Sequence, residues 1–530
     1  MSRSLDALTE SGPVPARDVW HRRFLVFLAG VVAWRLLYLI AAPLDLAPDE
    51  AYYWDWSRRL AWGYYSKPPL IAWLIALSTR VLGTSVFAVR LPAVALSAVG
   101  LWAVYALGRR MFDARAGFWA AVLAAASPLA SALGFVMTID APVVCCWSVA
   151  LYTLWRACED RPGRVGWWAA AGVVTCLGIL AKFIMPVMLV LFAFLACLDP
   201  RVRATLRKPG PYVWLALALV SLVPVLAWNA GHGWVTFRHT AVHFDTHPAG
   251  VVSGVLSFLE SAGLQALAVS PATWLLILVL SCIGLWRWRR LQTPVRYLLA
   301  FSAVPLLCAL LLGLRQRING NWLAAFYPAG FVLAAAWATG SVSLGARADA
   351  LRKAFRPAVA VGAVLAVLAY ALPVVLPRAG VDVARMPQVR MLLGWREVGR
   401  RVSTLYGDGE RTFLITTSRR VAGELAFYVE GRPTVYRWPG SQGAVSSQYE
   451  IWPGPLDKLG WDALIVLPLD DALPPDLADA FDAVEPAGTL DVPFGGTGRR
   501  RFALYWGRAL RRWPGTNAGP ETACIHRPAW

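Results

Sequence analysis

The feature that most constrains this chain is a recurrence of apolar runs through its first two thirds. Each is close to the ~20 residues needed to cross a bilayer. Phe24–Pro43, Phe87–Leu107, Gly117–Gly134, Pro142–Trp155 and the long stretch Trp167–Leu198 come first. Tyr212–Trp228, Thr273–Trp288, Tyr297–Leu314, Trp322–Thr339 and Ala358–Pro377 follow. Lipid offers no hydrogen bonds, so each run has to satisfy its own backbone and is expected to be helical. Trp167–Leu198 is long enough for two helices broken near Lys182, whereas Leu70–Leu82 is short and its crossing is left open. The first run is too long for a signal-peptide core and lacks a small-residue cleavage site, so it reads as a retained anchor.

The expectation is therefore an all-α polytopic membrane domain of about eleven to thirteen transmembrane helices. Its bounds are residues 24–378, behind a cytoplasmic tail of residues 1–23 and with periplasmic loops near 44–69 and 229–271. The formal net charge of +19 does not point to nucleic acid, because of where the cations sit. They gather before the first run and in short loops around Arg201–Lys208, Arg287–Arg296 and Arg347–Arg356. Short basic loops at alternate crossings are what retention of positive charge on the cytoplasmic side produces. Seven of the eight cysteines lie in or beside apolar runs, which leaves neither a disulfide framework nor a CxxC metal site.

Beyond Arg378 the composition changes. An amphipathic helix is expected over Arg390–Tyr406 and helices over Val421–Val429 and around Asp476–Phe481, with strands at Thr412–Thr417, Thr434–Trp438, Ala463–Pro468 and Arg501–Trp506. This alternation implies a small α/β domain over residues 379–530, on the periplasmic side. "FGGTGRRR" (Phe494–Arg501) lacks the Walker pattern and reads as a turn.

Four places could carry chemistry. Asp49 and Glu50 follow the first span at the outer interface, wrapped in Tyr and Trp, where burial in lipid would cost a few kcal/mol. Lys67 stands in Tyr-Ser-Lys-Pro-Pro, a turn stiffened by two prolines, and its ammonium suits a phosphate as a point charge. It could equally snorkel from a helix end. Asp140 is the only charge between Arg115 and Arg156. It could be functional or an N-cap for the helix that Pro142 begins. In Trp228–Pro248, His239, His243 and His247 are spaced to share one helix face, so a metal site or, with Arg238, a phosphate cradle is open, against plain interfacial packing.

Taken in order, these pieces resemble a bacterial membrane glycosyltransferase of the GT-C class, near the protein O-mannosyltransferase-like family and the aminoarabinose transferases of lipid A. The resemblance rests on "PDEAYYWDWSR" (Pro48–Arg58), "YYSKPPLIAW" (Tyr64–Trp73), "LGRRMFDARAG" (Leu107–Gly117), "MTIDAPVVCCWSVALY" (Met137–Tyr152) and "LAKF" (Leu180–Phe183). "WNAGHGWVTFRH" (Trp228–His239), "GNWLAAFYP" (Gly320–Pro328), "GELAFYVEGRPTVYRW" (Gly423–Trp438) and "SQYEIWPG" (Ser447–Gly454) extend it over nearly the whole chain.

The resemblance implies sugar transfer from a polyprenyl-phosphate carrier to a lipid or glycan acceptor at the periplasmic face of the inner membrane. Asp49 occupies the position of the catalytic aspartate, Asp140 that of a second functional carboxylate, and Lys67 that of a lysine contacting carrier phosphate. Glu50, Tyr53, Arg58, Lys182 and Arg238 complete the expected donor- and phosphate-binding set. His239 and His243 are the candidate ligands for a divalent metal. The chain departs from the lipid A aminoarabinose transferases at Ser66, where those enzymes carry a metal-linked glutamate, which argues against a metal there and against identical substrates. A single displacement at the anomeric carbon would invert it, without the second carboxylate nucleophile of a retaining glycosidase. Alternatives are a protein acceptor, as in an O-mannosyltransferase proper, or a lipid-carrier flippase or polysaccharide transporter. Against transport, the charges cluster on one face and no internal repeat is visible. The expected partners are the carrier-linked sugar, the acceptor and membrane lipids, without nucleic acid.

Overall fold

The computed structural model describes residues 16–159, 165–242, 250–407, 410–439 and 445–514. Among them, seven helices are long and apolar enough to cross a membrane, and six shorter apolar helices accompany them. The chain is a multi-span membrane protein with a small sheet domain at its C-terminal end.

The helices that build the site come early: α1 (Ala16–Ala41), α2 (Pro48–Ser57), α3 (Leu70–Leu82), α4 (Val86–Met111), α5 (Ala114–Ala125), α6 (Pro128–Ala132) and α7 (Asp140–Glu159). α8 (Gly166–Ala181) and α9 (Val187–Leu198) follow, with the expected break at Lys182, whose backbone is extended. Pro186 opens the next helix, which accounts for the stop. α4 and α5 form a tight hairpin. Asp113 accepts the Ala116 N–H at 2.8 Å to cap α5, and a Cβ on Gly108 would stand 2.8 Å from the Gly117 Cα. Only glycine lets the two backbones approach so closely.

α3 is not a crossing. Its 13 residues span ~20 Å of helix, short of a ~30 Å hydrocarbon core, and both of its ends are tied to one face. It leaves the Lys67 turn directly, while the Thr84 carbonyl beyond its far end accepts a hydrogen bond from Arg432 of the C-terminal domain at 2.9 Å. Arg109 and Arg110 then lie at the opposite end of α4, away from that domain.

The expected loop near 229–271 needs correction. It holds a helix at Val235–Val242 and a 19-residue apolar helix at Val251–Val269 that is long enough to cross. Ser261 and Gln265 make this stretch look polar in sequence, but their side chains face protein. The Ser261 hydroxyl accepts from Ile318 N–H at 2.9 Å. Gln265 donates to the Asn319 carbonyl at 3.0 Å and accepts from the Tyr327 hydroxyl at 3.0 Å.

The C-terminal domain is a five-stranded sheet of β1 (Thr412–Thr416), β2 (Val435–Arg437), β3 (Asp462–Pro468), β4 (Phe481–Gly495) and β5 (Gly498–Leu510), in the order β2-β1-β3-β5-β4. β1 runs parallel to β2 and β3, and β5 antiparallel to β3 and β4. All four expected strands are present, and Phe494–Arg501 contains the β4–β5 turn. β4 escaped the sequence reading because Pro486, Gly488 and Pro493 break its alternation; an edge strand with bulges tolerates them. The expected helix from Arg390 begins instead at Trp395, since Gly394 adopts φ +84° and ends the preceding turn.

The two parts share one core. Leu46, Tyr52, Trp56, Tyr64 and Met137 pack in the same buried cluster as Val398, Leu414, Val421, Leu425 and Leu464. The helix Arg419–Tyr428 lies against α2, where a Cβ on Gly423 would already meet the Tyr52 backbone at 3.0 Å.

Candidate active site

The site is assembled where α2, the Lys67 turn, the start of α7, the α8–α9 break and the C-terminal domain meet. α2 begins with Pro48, whose missing N–H costs nothing at a first helical position. The next two residues, Asp49 and Glu50, point into different surroundings. Asp49 stays about half exposed and forms an ion pair with Arg419 at 3.2 Å. Glu50 is fully buried and accepts from Arg90 at 2.7 Å, from Met137 N–H at 2.8 Å and from Ala47 N–H at 2.9 Å. With its carboxylate so occupied, Glu50 has no face left for a ligand. Its expected place in the donor set is corrected to a structural one: it locks α2 to α4 and to the strand of chain before α7.

Lys67 sits on a turn held from several sides. The Tyr64 N–H donates to the Lys67 carbonyl at 3.2 Å, and the Tyr64 ring stacks on Trp56 at 4.4 Å. The Thr236 hydroxyl donates to the Tyr64 carbonyl at 2.8 Å, and the Tyr65 N–H donates to Gln448 Oε1 at 2.7 Å. Half-buried between these groups, the Lys67 ammonium loses hydration and faces Lys182. Desolvation first, and Lys182 second, pull its pKa down to about 8 despite the opposing fields of Asp140 and Asp49. Among the described residues Lys67 makes no ion pair. It is an anchored cation without a fixed counter-ion.

Asp140 is the reverse case, a carboxylate with every oxygen engaged. Lys182 Nζ donates to its Oδ1 at 2.7 Å and Asn321 Nδ2 to its Oδ2 at 2.7 Å, with the residue only 3% exposed. It opens α7, but its side chain reaches the break between α8 and α9 and the turn that holds Asn321. Tyr53, one turn along α2, is buried within the fields of Asp49, Arg419 and Asp140; burial raises its phenol well above the usual range.

The other expected residues fall elsewhere. Arg58 pairs with Asp55 at 3.2 Å and donates to the carbonyls of Arg432 at 3.0 Å and Pro433 at 3.5 Å. It fastens the C-terminal domain and is not in contact with the Asp49–Lys67–Asp140 group, which corrects its assignment to donor binding. Arg238 is exposed on the helix Val235–Val242. The His239 ring lies 4.7 Å from the Tyr65 ring, beside the Lys67 turn, while His243 lies outside the described residues. Among the described residues no three His, Cys, Asp or Glu side chains converge as metal ligands. Ser66 is buried and brings no charge.

Sequence reasoning missed Arg419, Asn321, Gln448 and Arg90. Asn321 and Gln448 stood inside motifs that carried the resemblance, each a lone amide beside aromatic residues. Arg419 and Arg90 carried no comparable signal, since each acts only through a contact hundreds or tens of positions away.

Comparison with known proteins bears out the resemblance. Residues 66–228 match the dolichyl-phosphate-mannose-protein mannosyltransferase family. The lipid A galacturonosyltransferase RgtD of Rhizobium johnstonii is 26% identical over 320 residues, covering 59% of this chain and 65% of that protein. The undecaprenyl phosphate-alpha-4-amino-4-deoxy-L-arabinose arabinosyl transferase of Pseudomonas aeruginosa is 28% identical over 299 residues, 52% of this chain and 53% of that protein. The matched region thus spans just under two thirds of the first relative and about half of the second. In fold, the chain is similar to the crystal structure of ArnT from Cupriavidus metallidurans. The TM-score is 0.58 at 16% identity, over 92% of this chain and 98% of that one. The expected architecture, a helical membrane domain followed by a small sheet domain, is the one observed.

Proposed function

We propose that this chain is an inverting glycosyltransferase that moves a sugar from a polyprenyl-phosphate carrier to a lipid or glycan acceptor at the periplasmic face of a bacterial inner membrane. The observation that carries the reading is the convergence of Asp49, Lys67, Asp140, Lys182 and Arg419 at the junction of apolar helices with the sheet domain. A carrier with an isoprenoid tail and an anionic head needs both surroundings at once. Relatives named for transfer to lipid A or from undecaprenyl phosphate support the same donor and acceptor classes.

In this reading the acceptor oxygen attacks the anomeric carbon from the face opposite the carrier. The bond from that carbon to the phosphate oxygen breaks, and its electron pair leaves on the polyprenyl phosphate. Lys67, already positioned and making no ion pair among the described residues, stabilises the charge that grows there. Asp49, the open carboxylate, takes the proton of an acceptor hydroxyl; an ionised acceptor phosphate would need only orientation. Asp140 holds Lys182 and Asn321 in place around the same space. The domain bounds proposed are residues 24–378 for the membrane part and 379–530 for the periplasmic part.

A protein acceptor is the second reading, favoured by the family matched over residues 66–228. The test is purified chain in nanodiscs with polyprenyl-phosphate sugars and either lipid A or a peptide mixture, with products weighed by mass spectrometry. Transfer to lipid A with release of free carrier phosphate supports the first reading, transfer to peptide the second. Carrier moved across vesicles without bond cleavage would sink both and favour a transporter. A reporter fused after Trp530 should be active only in the periplasm; cytoplasmic activity would reverse the orientation.

A further inference from the structure

Two polar contacts reach the site from the C-terminal domain, and neither is explained by packing alone. Arg419, the first residue of its helix, carries its guanidinium over the Tyr52 ring at 4.7 Å and onto Asp49 Oδ1 at 3.2 Å. Gln448 accepts from the backbone of Tyr65 at 2.7 Å, two residues before Lys67, while its own N–H donates to the Tyr52 hydroxyl at 2.6 Å. One domain thus grips both the helix bearing Asp49 and the turn bearing Lys67.

We infer that the C-terminal domain is a working wall of the active site, in which Arg419 is the positioning residue for the Asp49 carboxylate and Gln448 that for the Lys67 turn. The inference rests on the transferase reading. A carboxylate half open to water has several rotamers, and a proton acceptor is useful only in one of them. Arg419, itself steadied on the Tyr52 face, selects that rotamer without closing off the second oxygen. The ionisable groups whose fields couple to Asp49 are Arg419 from the domain, Lys67 from the turn and, on its own helix, Tyr53; Asp140 and Lys182 act in turn on Lys67. Arg419 is therefore the cation whose removal changes Asp49 most.

Two measurements test this. Carbodiimide labelling of Asp49 at one neutral pH, followed by peptide mass spectrometry, reports how freely that carboxyl reacts, independently of catalysis. Removing the paired guanidinium should raise the labelling rate several-fold in Arg419→Ala and far less in Arg419→Lys. Transfer kinetics supply the second reading. Arg419→Ala should lower kcat at least tenfold with KM little changed, Arg419→Lys restoring most of the rate. Gln448→Ala should raise the donor KM several-fold and leave Asp49 labelling where it was. An unchanged labelling rate in a folded Arg419→Ala protein overturns the inference, as does faster labelling with wild-type kcat. A wild type that transfers no sugar while labelling still rises in Arg419→Ala sinks the transferase reading and leaves the pairing of Arg419 with Asp49 standing.

Discussion

Lys67 gives the most quantitative handle on the site. If its ammonium is what the carrier phosphate binds, affinity must follow the charged fraction of a group whose pKa is about 8. That fraction is about 0.9 at pH 7, about 0.09 at pH 9 and about 0.01 at pH 10. Affinity for undecaprenyl phosphate should fall about tenfold from pH 7 to 9 and about a hundredfold by pH 10. Those losses correspond to about 1.4 and 2.8 kcal/mol. The ligand itself is already a dianion well above its second pKa of about 6, so it adds no slope in this range. Stability moves the other way. The folded pKa lies below the usual 10.5, so between about 8 and 10.5 the unfolded chain binds the extra proton and this residue makes folding more favourable as pH rises. Unfolding therefore cannot mimic the loss of binding through this group. The assay is equilibrium binding of undecaprenyl phosphate in nanodiscs between pH 7 and 10, with Lys67→Arg beside the wild type. Arginine stays charged throughout and should flatten the profile. A wild-type change of less than twofold, or an identical slope in Lys67→Arg, would refute the reasoning.

Asp49→Asn should cut transfer about 10²–10⁴-fold through lost proton acceptance, with undecaprenyl phosphate binding within a few-fold of wild type; transfer at the wild-type rate would reduce Asp49 to a helix-end residue. Glu50→Ala, one position on, should act on the fold instead, since it strands buried Arg90. The cost should be about 3–5 kcal/mol, read as a lowered unfolding temperature. Asp140→Asn and Lys182→Met should be strongly non-additive in transfer rate, the double variant being little worse than either single one, because each group is held by the other. Glu424 is buried with neither oxygen hydrogen-bonded among the described residues, and burial raises its pKa well above the usual 4.5. A raised carboxyl contributes its stability below the unfolded pKa and loses it as pH rises through the folded one. Glu424→Gln should thus match the wild type in unfolding temperature near pH 4.5 and exceed it at alkaline pH.

The membrane part was legible because lipid imposes one rule, an apolar run for each helix, and the sequence obeys it run by run. It failed where polar residues served protein contacts, as with Ser261 and Gln265, which made an apolar helix read as a loop. The sheet domain was legible for strands that alternate and opaque for β4, whose prolines are tolerable only at an edge. Asp49, Lys67 and Asp140 stood out since charges flanked by apolar runs are costly and therefore few. Their partners did not, because an arginine such as Arg419 is one among many in a basic chain.

The neighbouring carboxylates Asp49 and Glu50 show what sequence alone could not divide. On a helix, adjacent positions point about 100° apart, so two residues with the same charge at the same interface can meet opposite surroundings. Glu50 turns inward to Arg90 and the Met137 N–H, and so fixes where the chain enters α7 three residues before Asp140. Asp49 turns outward to Arg419 and open space. The buried carboxylate thereby sets the spacing between the two candidate catalytic ones, although no ligand would ever touch it.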